Sequence, residues 1–173
     1  MSEKKFYLSL ILRYAILILV AIPNFFIFYF VFTPLTTYPV NFILNLFVPT
    51  FLSPGKILME NVLIQLIPAC IAGSAYYLLL VLNLTTPQIK KRGSAILFSF
   101  SSLLVLNILR IVALSFLFYF NSDWFDFTHK ISWYFLSVFF VMLIWFFEVK
   151  FFKIKGVPVF SDLKNLFKKI KKK

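Results

Sequence analysis

The sequence predicts an all-α polytopic membrane protein with four transmembrane helices. A proline-rich segment of short interfacial or re-entrant pieces is expected between the first helix and the second. Three observations predict this class. Hydrophobic residues make up 61% of the 173 residues and aromatic residues 21%, whereas soluble domains carry ~45–50% apolar residues, so the bilayer has to act as solvent. Four apolar runs read as spans, and the first of them is long enough to cross a hydrocarbon core of ~30 Å. The net charge of +12 is gathered at the two ends and in one short loop. That distribution fits membrane topology and anionic lipid better than a basic stripe on a soluble face, so nucleic acid is not an expected partner.

The first span is expected at about 6–32, preceded by Lys4 and Lys5. Arg13 lies one or two turns in, where it can snorkel to the interface. The run is too long for the apolar region of a signal peptide and no A-x-A-like site follows, so it reads as a retained anchor. Thr33–Ala69 carries Pro34, Pro39, Pro49, Pro54 and Pro68 with Gly55, which argues against a continuous spanning helix. Its Val40–Val48 and Lys56–Ile67 stretches remain apolar. They predict short pieces, some of them extended, packed on the bundle, because irregular backbone at membrane depth needs cover from protein or a water-filled cavity.

The second span is expected at about 70–84, with a start as early as Leu63 left open; Pro68 suits a helix start. The loop Thr85–Gly93 holds Lys90, Lys91 and Arg92. The third span is 94–120, the loop Asn121–Thr128 holds Asp123 and Asp126, and the fourth span is 129–152. Residues 1–152 are thus expected to form a transmembrane bundle and 153–173 a basic amphipathic tail. In that tail Leu163, Leu166, Phe167 and Ile170 share one helical face beside Lys164, Lys168 and Lys169, ahead of Lys171–Lys173, with Ser161 a candidate N-cap. A basic amphipathic helix of this kind suits an anionic leaflet. Lysine and arginine crowd the N-terminus, the Thr85–Gly93 loop and the tail. The other side has Lys56 and Lys130 against Glu60, Asp123 and Asp126. Both termini are therefore expected in the cytoplasm and the proline-rich segment outside.

With that topology, the rarest reactive side chains converge. Cys70, the single cysteine, begins the second span at the outer face; His129, the single histidine, begins the fourth. Arg110 is 16 residues past Ser94, ~24 Å along a helix. A lone cysteine excludes an intramolecular disulfide and a CxxC metal site, and with one histidine no zinc centre and no cofactor are expected.

Each residue has a plain and a chemical reading. Cys70 alone is a small buried hydrophobe, but in the first turn of a helix the dipole favours thiolate. The small residues Ala69, Ala72, Gly73 and Ala75 fit either access for another chain or tight helix packing. Arg110 costs ~2.5–3.5 kcal/mol to insert. It either snorkels or faces a polar site and binds a negative oxygen, with Asn107 one turn earlier on its face. His129 is either interfacial or a general acid–base. Asp126, three residues before it, either orients the ring or caps the helix.

Pro68-Ala69-Cys70-Ile71-Ala72-Gly73, then Asn107-Ile108-Leu109-Arg110, then His129 resemble the exosortase/archaeosortase family, in its compact archaeal form. That family has an ACSG-like cysteine motif, an NxxR motif and a downstream histidine or arginine. The resemblance covers roughly Asn61 to Lys150. Ile71 stands where many members have serine, and the chain has fewer predicted spans than bacterial members. The resemblance implies a membrane cysteine transpeptidase or protease of protein sorting, with Cys70, Arg110 and His129 catalytic and Asn107 on the asparagine of NxxR. The implied substrates are secreted proteins ending in a short motif, a transmembrane helix and a basic cluster, cleaved at the outer face of the cell membrane. The implied acceptor is a membrane lipid or similar group. The alternative from the residues is a small membrane carrier or scaffold in which Arg110 binds an anionic group.

Overall fold

The computed structural model describes the chain apart from residues 1, 2, 23, 24, 54, 61, 88, 90, 172 and 173, and apart from the side chains at 3, 4, 6, 169 and 170. Pro54, Asn61, Lys90 and Lys172–Lys173, which enter the sequence reading, thus lie outside the described residues. So do the side chains of Lys4, Phe6, Lys169 and Ile170. The elements run α1 (Glu3–Ala21), α2 (Phe26–Asn45), β1 (Thr50–Ser53), β2 (Lys56–Met59), β3 (Val62–Gln65), α3 (Pro68–Ile71), α4 (Gly73–Thr85), α5 (Arg92–Tyr119), α6 (Phe125–Ile131), a π-helical turn (Ser132–Leu136), α7 (Ser137–Phe151) and α8 (Phe160–Ile170). Four stretches are long and apolar enough to cross a membrane: Phe26–Asn45, Pro68–Thr85, Arg92–Tyr119 and Phe125–Phe151. Large apolar side chains such as Leu8, Leu97, Phe135, Phe139 and Phe146 stand exposed around them. Lipid is the solvent such a surface fits.

The first passage differs from the single helix expected at 6–32. It is a broken helix, α1 then α2, with Phe25 in the left-handed region (φ 60°) before α2. Both halves run in one direction, as their contacts at the two ends of α4 and along α5 show. Arg13 reaches Leu84 and the Tyr77 hydroxyl reaches Leu17. Phe25 lies on Tyr77, Phe32 on Tyr76, and Phe47 on Phe116. α1 and α2 are therefore antiparallel to α4 and parallel to α5, and of the two only α2 is long and apolar enough to cross a membrane. The segment of short pieces starts later than expected, because α2 runs on past Thr33 to Asn45. Pro34 and Pro39 lie inside α2. Each removes one donor, but unwinding in an apolar medium would strand many more backbone groups, so the helix persists.

The fold is mostly helical rather than all-α. β1, β2 and β3 form an antiparallel meander in that order, with Thr50 opposite Met59 and Lys56 opposite Gln65. Alternation on β2 turns Ile57 and Met59 inward onto Val40, Leu44 and Ile111. β1 is tied to the end of α2, where the Thr50 N–H donates to Asn45 Oδ1 at 3.0 Å. A second core joins α2, α4, α5 and α7, centred on Phe32 stacked 3.7 Å from Tyr76. Gly73 allows the close approach there: a Cβ on it would lie 2.8 Å from the Tyr29 ring. Tight packing is thus the reading that applies to Gly73 and to the buried Ala72 and Ala75.

At the end of the bundle carrying both termini, the last carbonyls of α4 are satisfied one by one. The Thr85 and Thr86 hydroxyls donate to Val81 and Leu82. Arg13 donates to Leu84, Arg92 to Thr86, and the Val159 N–H to Thr85. Helix ends need such partners when buried. Arg13 does not snorkel; it is buried and pairs with Asp162 of α8 at 3.0 Å. Ser161 is not the N-cap of α8, which starts at Phe160 after Val159 (φ 60°). Its hydroxyl accepts the Val157 N–H at 2.8 Å instead. Leu163 and Phe167 are exposed on α8, while Leu166 is half-buried. Nearby, buried Glu148 accepts hydrogen bonds from Ser99 and from Asn83 (3.2 Å), joining α4, α5 and α7.

Candidate active site

The opposite end of the bundle holds a cavity of about 220 Å³. Cys70, Arg110 and His129 all line it. Three separate elements bring them there: α3, α5 and α6.

Cys70 does not begin the spanning helix. It sits in α3, a single turn that ends at Ala72 in the left-handed conformation (φ 60°), and α4 starts only at Gly73. A four-residue turn has no appreciable macrodipole, so that argument for an activated thiol falls away at this position. The break has a second effect. With no helix continuing through Ala72, the Cys70 carbonyl lacks its usual i+4 donor. Two side chains of α5 supply donors: Asn107 Nδ2 at 2.8 Å and Arg110 Nη2 at 3.2 Å. Both sit on one face of α5, three residues apart, as helical spacing requires. Asn107 is thus a buried clamp on the cysteine main chain.

Arg110 also donates from Nη1 to Ser137 Oγ of α7 at 3.0 Å. Its guanidinium therefore bridges α3 and α7. Nε has no hydrogen-bond partner among the described residues, and no ion pair to Arg110 occurs among them. The cation sits against apolar wall residues including Ile111, Leu114 and Phe118. An anionic or strongly polarised oxygen entering the cavity is what would satisfy it.

His129 lies in the last turn of α6 rather than at a helix start, since the fourth spanning stretch begins at Phe125. Its ring stacks on Phe125, with centroids 5.4 Å apart and planes 11° from parallel. Asp126 is not brought to it. Asp126 lines a different cavity, with Asn121, Ser122 and Asp123, and makes no hydrogen bond to His129 among the described residues. Nor does it cap α6, whose N-cap Trp124 has no side-chain cap bond. Its carboxylate in the first turn is favourable to the helix dipole only.

Three contributions went unread in the sequence. Ser137 holds Arg110. Ser132, buried at the start of the π-helical turn, lines the cavity with its hydroxyl unpartnered among the described residues. Residues of β3 and the strand's exit, Leu63 to Ile67, form one cavity wall. A π turn inside a helix recurs at functional sites, but polar serines in an aromatic run give little warning of it.

No family model, no curated protein and no solved structure matches this chain, so the resemblance drawn from Cys70, Asn107, Arg110 and His129 rests on those residues themselves.

Proposed function

We propose that the chain is a multi-pass membrane cysteine transpeptidase or protease of protein sorting. It cleaves a C-terminal sorting signal of secreted proteins at the outer face of the cell membrane. The observation that supports this reading is the shared cavity: a thiol, an imidazole and a guanidinium from three elements line one space. These are the parts of a nucleophile, an acid–base and an oxyanion donor. Both termini are cytoplasmic in this reading, by the lysine and arginine distribution, and the cavity opens outward. The exposed Leu163 and Phe167 of α8, beside Lys164 and Lys168, rest on the anionic inner leaflet.

The chemistry runs in two halves. His129 takes the Cys70 proton, and the sulfur attacks the scissile carbonyl carbon. The C–N bond breaks, the amine leaves with the proton from His129, and a thioester remains on Cys70. An acceptor hydroxyl, amine or water then attacks the thioester. It gives its proton to His129 and returns the thiol. Arg110 stabilises the oxyanion of both tetrahedral states, a role commonly worth ~2.7–4 kcal/mol per donor. Asn107 acts through the Cys70 carbonyl and is a positioning residue.

The test is mass spectrometry of the C-termini of co-expressed secreted proteins that end in an apolar helix and a basic cluster. The wild-type chain yields truncated or acceptor-linked termini, and Cys70→Ala, inserted normally, leaves them whole. Full processing by Cys70→Ala ends the covalent proposal. The lone cation in an apolar cavity also favours a second reading, an anion-binding carrier or scaffold. That reading requires Cys70 to be chemically inert.

A further inference from the structure

We infer that the free edge of β3 is a docking strand for an extended segment of the substrate, the residues immediately N-terminal to the scissile bond. This rests on the reading of Cys70 as a nucleophile toward peptides. The Leu66 N–H donates to the Gly55 carbonyl at 3.0 Å. In the register that sets Lys56 opposite Gln65 and Ile57 opposite Ile64, Gly55 and Leu66 are the next facing pair. An antiparallel ladder alternates bonded and non-bonded pairs. The bonds to β2 therefore fall at residues 62, 64 and 66. The main-chain N–H and C=O of Leu63 and Gln65 point away from β2, off the open side of the sheet.

The two sheet edges differ. β1 is tied to α2 at Thr50, whose N–H donates to Asn45 Oδ1 and whose hydroxyl donates to the Asn41 carbonyl. No hydrogen bond from another element reaches the main chain of Leu63 or Gln65 among the described residues. That strand edge is a wall of the cavity that holds Cys70. The chain passes from Gln65 through two residues into α3, and the Cys70 N–H donates to the Ile67 carbonyl at 2.8 Å, so edge and thiol are fixed to one another.

An unpaired edge beside a nucleophile recognises one chemistry, a peptide backbone in extended form. A lipid headgroup or a free anion cannot match alternating donors and acceptors two residues apart. Pairing on the acyl side holds the peptide through both halves of the reaction, because that portion stays attached to Cys70. Recognition through the main chain is also indifferent to side-chain sequence.

The test uses the purified full chain and two alkylating probes, chloroacetamide and acetyl-tetra-alanyl chloromethyl ketone. The rate at Cys70 is read by intact mass and normalised to free cysteine. The peptide probe should gain roughly tenfold or more over chloroacetamide, the gain expected of two or more ordinary hydrogen bonds. Leu63→Pro removes an outward N–H and leaves the ladder to β2 intact, a position where an edge strand tolerates proline. It should lower the peptide rate about tenfold more than the chloroacetamide rate. A tetra-alanyl probe with alternate N-methyl groups should lose the gain on the wild-type chain, a result that does not depend on how the variant folds. If the peptide probe shows no gain, or if N-methylation leaves the gain in place, the docking strand is refuted while the nucleophile stands. If neither probe modifies Cys70, the underlying reading fails, and this inference with it.

Discussion

Breaking the ion pair between Arg13 and Asp162 should release α8 from the bundle. The pair is 3.0 Å long and both side chains are under a tenth exposed. Removing one partner of a buried pair costs ~3–5 kcal/mol, because the other charge stays buried and unpaired. In Asp162→Ala, Arg13 keeps its bonds to the Leu84 and Ser9 carbonyls, which places the loss near the low end, ~3 kcal/mol. That is a rise of about a hundredfold in the undocked population of α8. The assay is limited trypsin digestion of the purified protein in detergent, following cleavage at Lys153, Lys155 and Lys164. Asp162→Ala should be nicked far faster than wild type. The double variant Arg13→Leu with Asp162→Leu removes both charges and should recover part of the resistance, since apolar replacement of a whole buried pair is often neutral while the Leu84 carbonyl loses its Arg13 donor. A wild-type digestion rate in Asp162→Ala, or a double variant as labile as the single one, would refute the argument that this pair docks the tail.

Other residues give further expectations. Arg110→Lys replaces a planar fork, whose two terminal nitrogens reach Ser137 and the Cys70 carbonyl separately, with one compact ammonium that cannot keep that geometry and still face the oxyanion; processing of a sorting substrate should fall ~100–1000-fold, and a loss within about threefold would remove Arg110 from the chemistry. Asn107→Ala should slow processing and alkylation of Cys70 alike, because it loosens the turn carrying the thiol; unchanged alkylation would show that α3 holds without it. Gly73→Ala drives a Cβ to 2.8 Å from the Tyr29 ring and should cost ~1–3 kcal/mol, relieved by Tyr29→Val; an unchanged melting temperature would contradict the packing described between α2 and α4. Ser99→Ala strips a donor from buried Glu148 and should cost ~1–3 kcal/mol; a loss near zero in thermal unfolding would show the cluster to be energetically idle.

The sequence carried some of this structure openly. The third and fourth spanning stretches begin and end close to where apolar periodicity and flanking polar loops put them, because a 27- or 28-residue apolar run has few alternatives in lipid. The break in the first passage was less legible: Pro23 and Asn24 interrupt the run, yet proline inside α2 interrupts nothing, so residue type alone does not separate a break from a tolerated kink. The meander left a signal in the spacing. Four-residue runs that mix apolar residues with a polar one at an end are separated by two-residue steps, Pro54-Gly55 and Glu60-Asn61, the pattern of successive hairpins. Against a background of 61% hydrophobic residues, the strand alternation is faint.

At the site, depth could be counted along each span, and that brings Cys70, Arg110 and His129 to one end. Rotation could not be counted. It decides that Arg110 meets the Cys70 carbonyl and Ser137, which depends on packing between elements distant in sequence, and that Asp126 turns to another cavity, lined by its near neighbours in the chain.

The measurement that bears most directly on the central claim is the rate at which a membrane-impermeant maleimide labels Cys70 in sealed cells, compared with inverted vesicles. A thiol activated in an outward cavity reacts fast from the exterior, with a marked pH dependence, and reacts more slowly in His129→Ala and Arg110→Ala. A thiol that stays unlabelled from outside, or whose rate ignores both substitutions, contradicts the account.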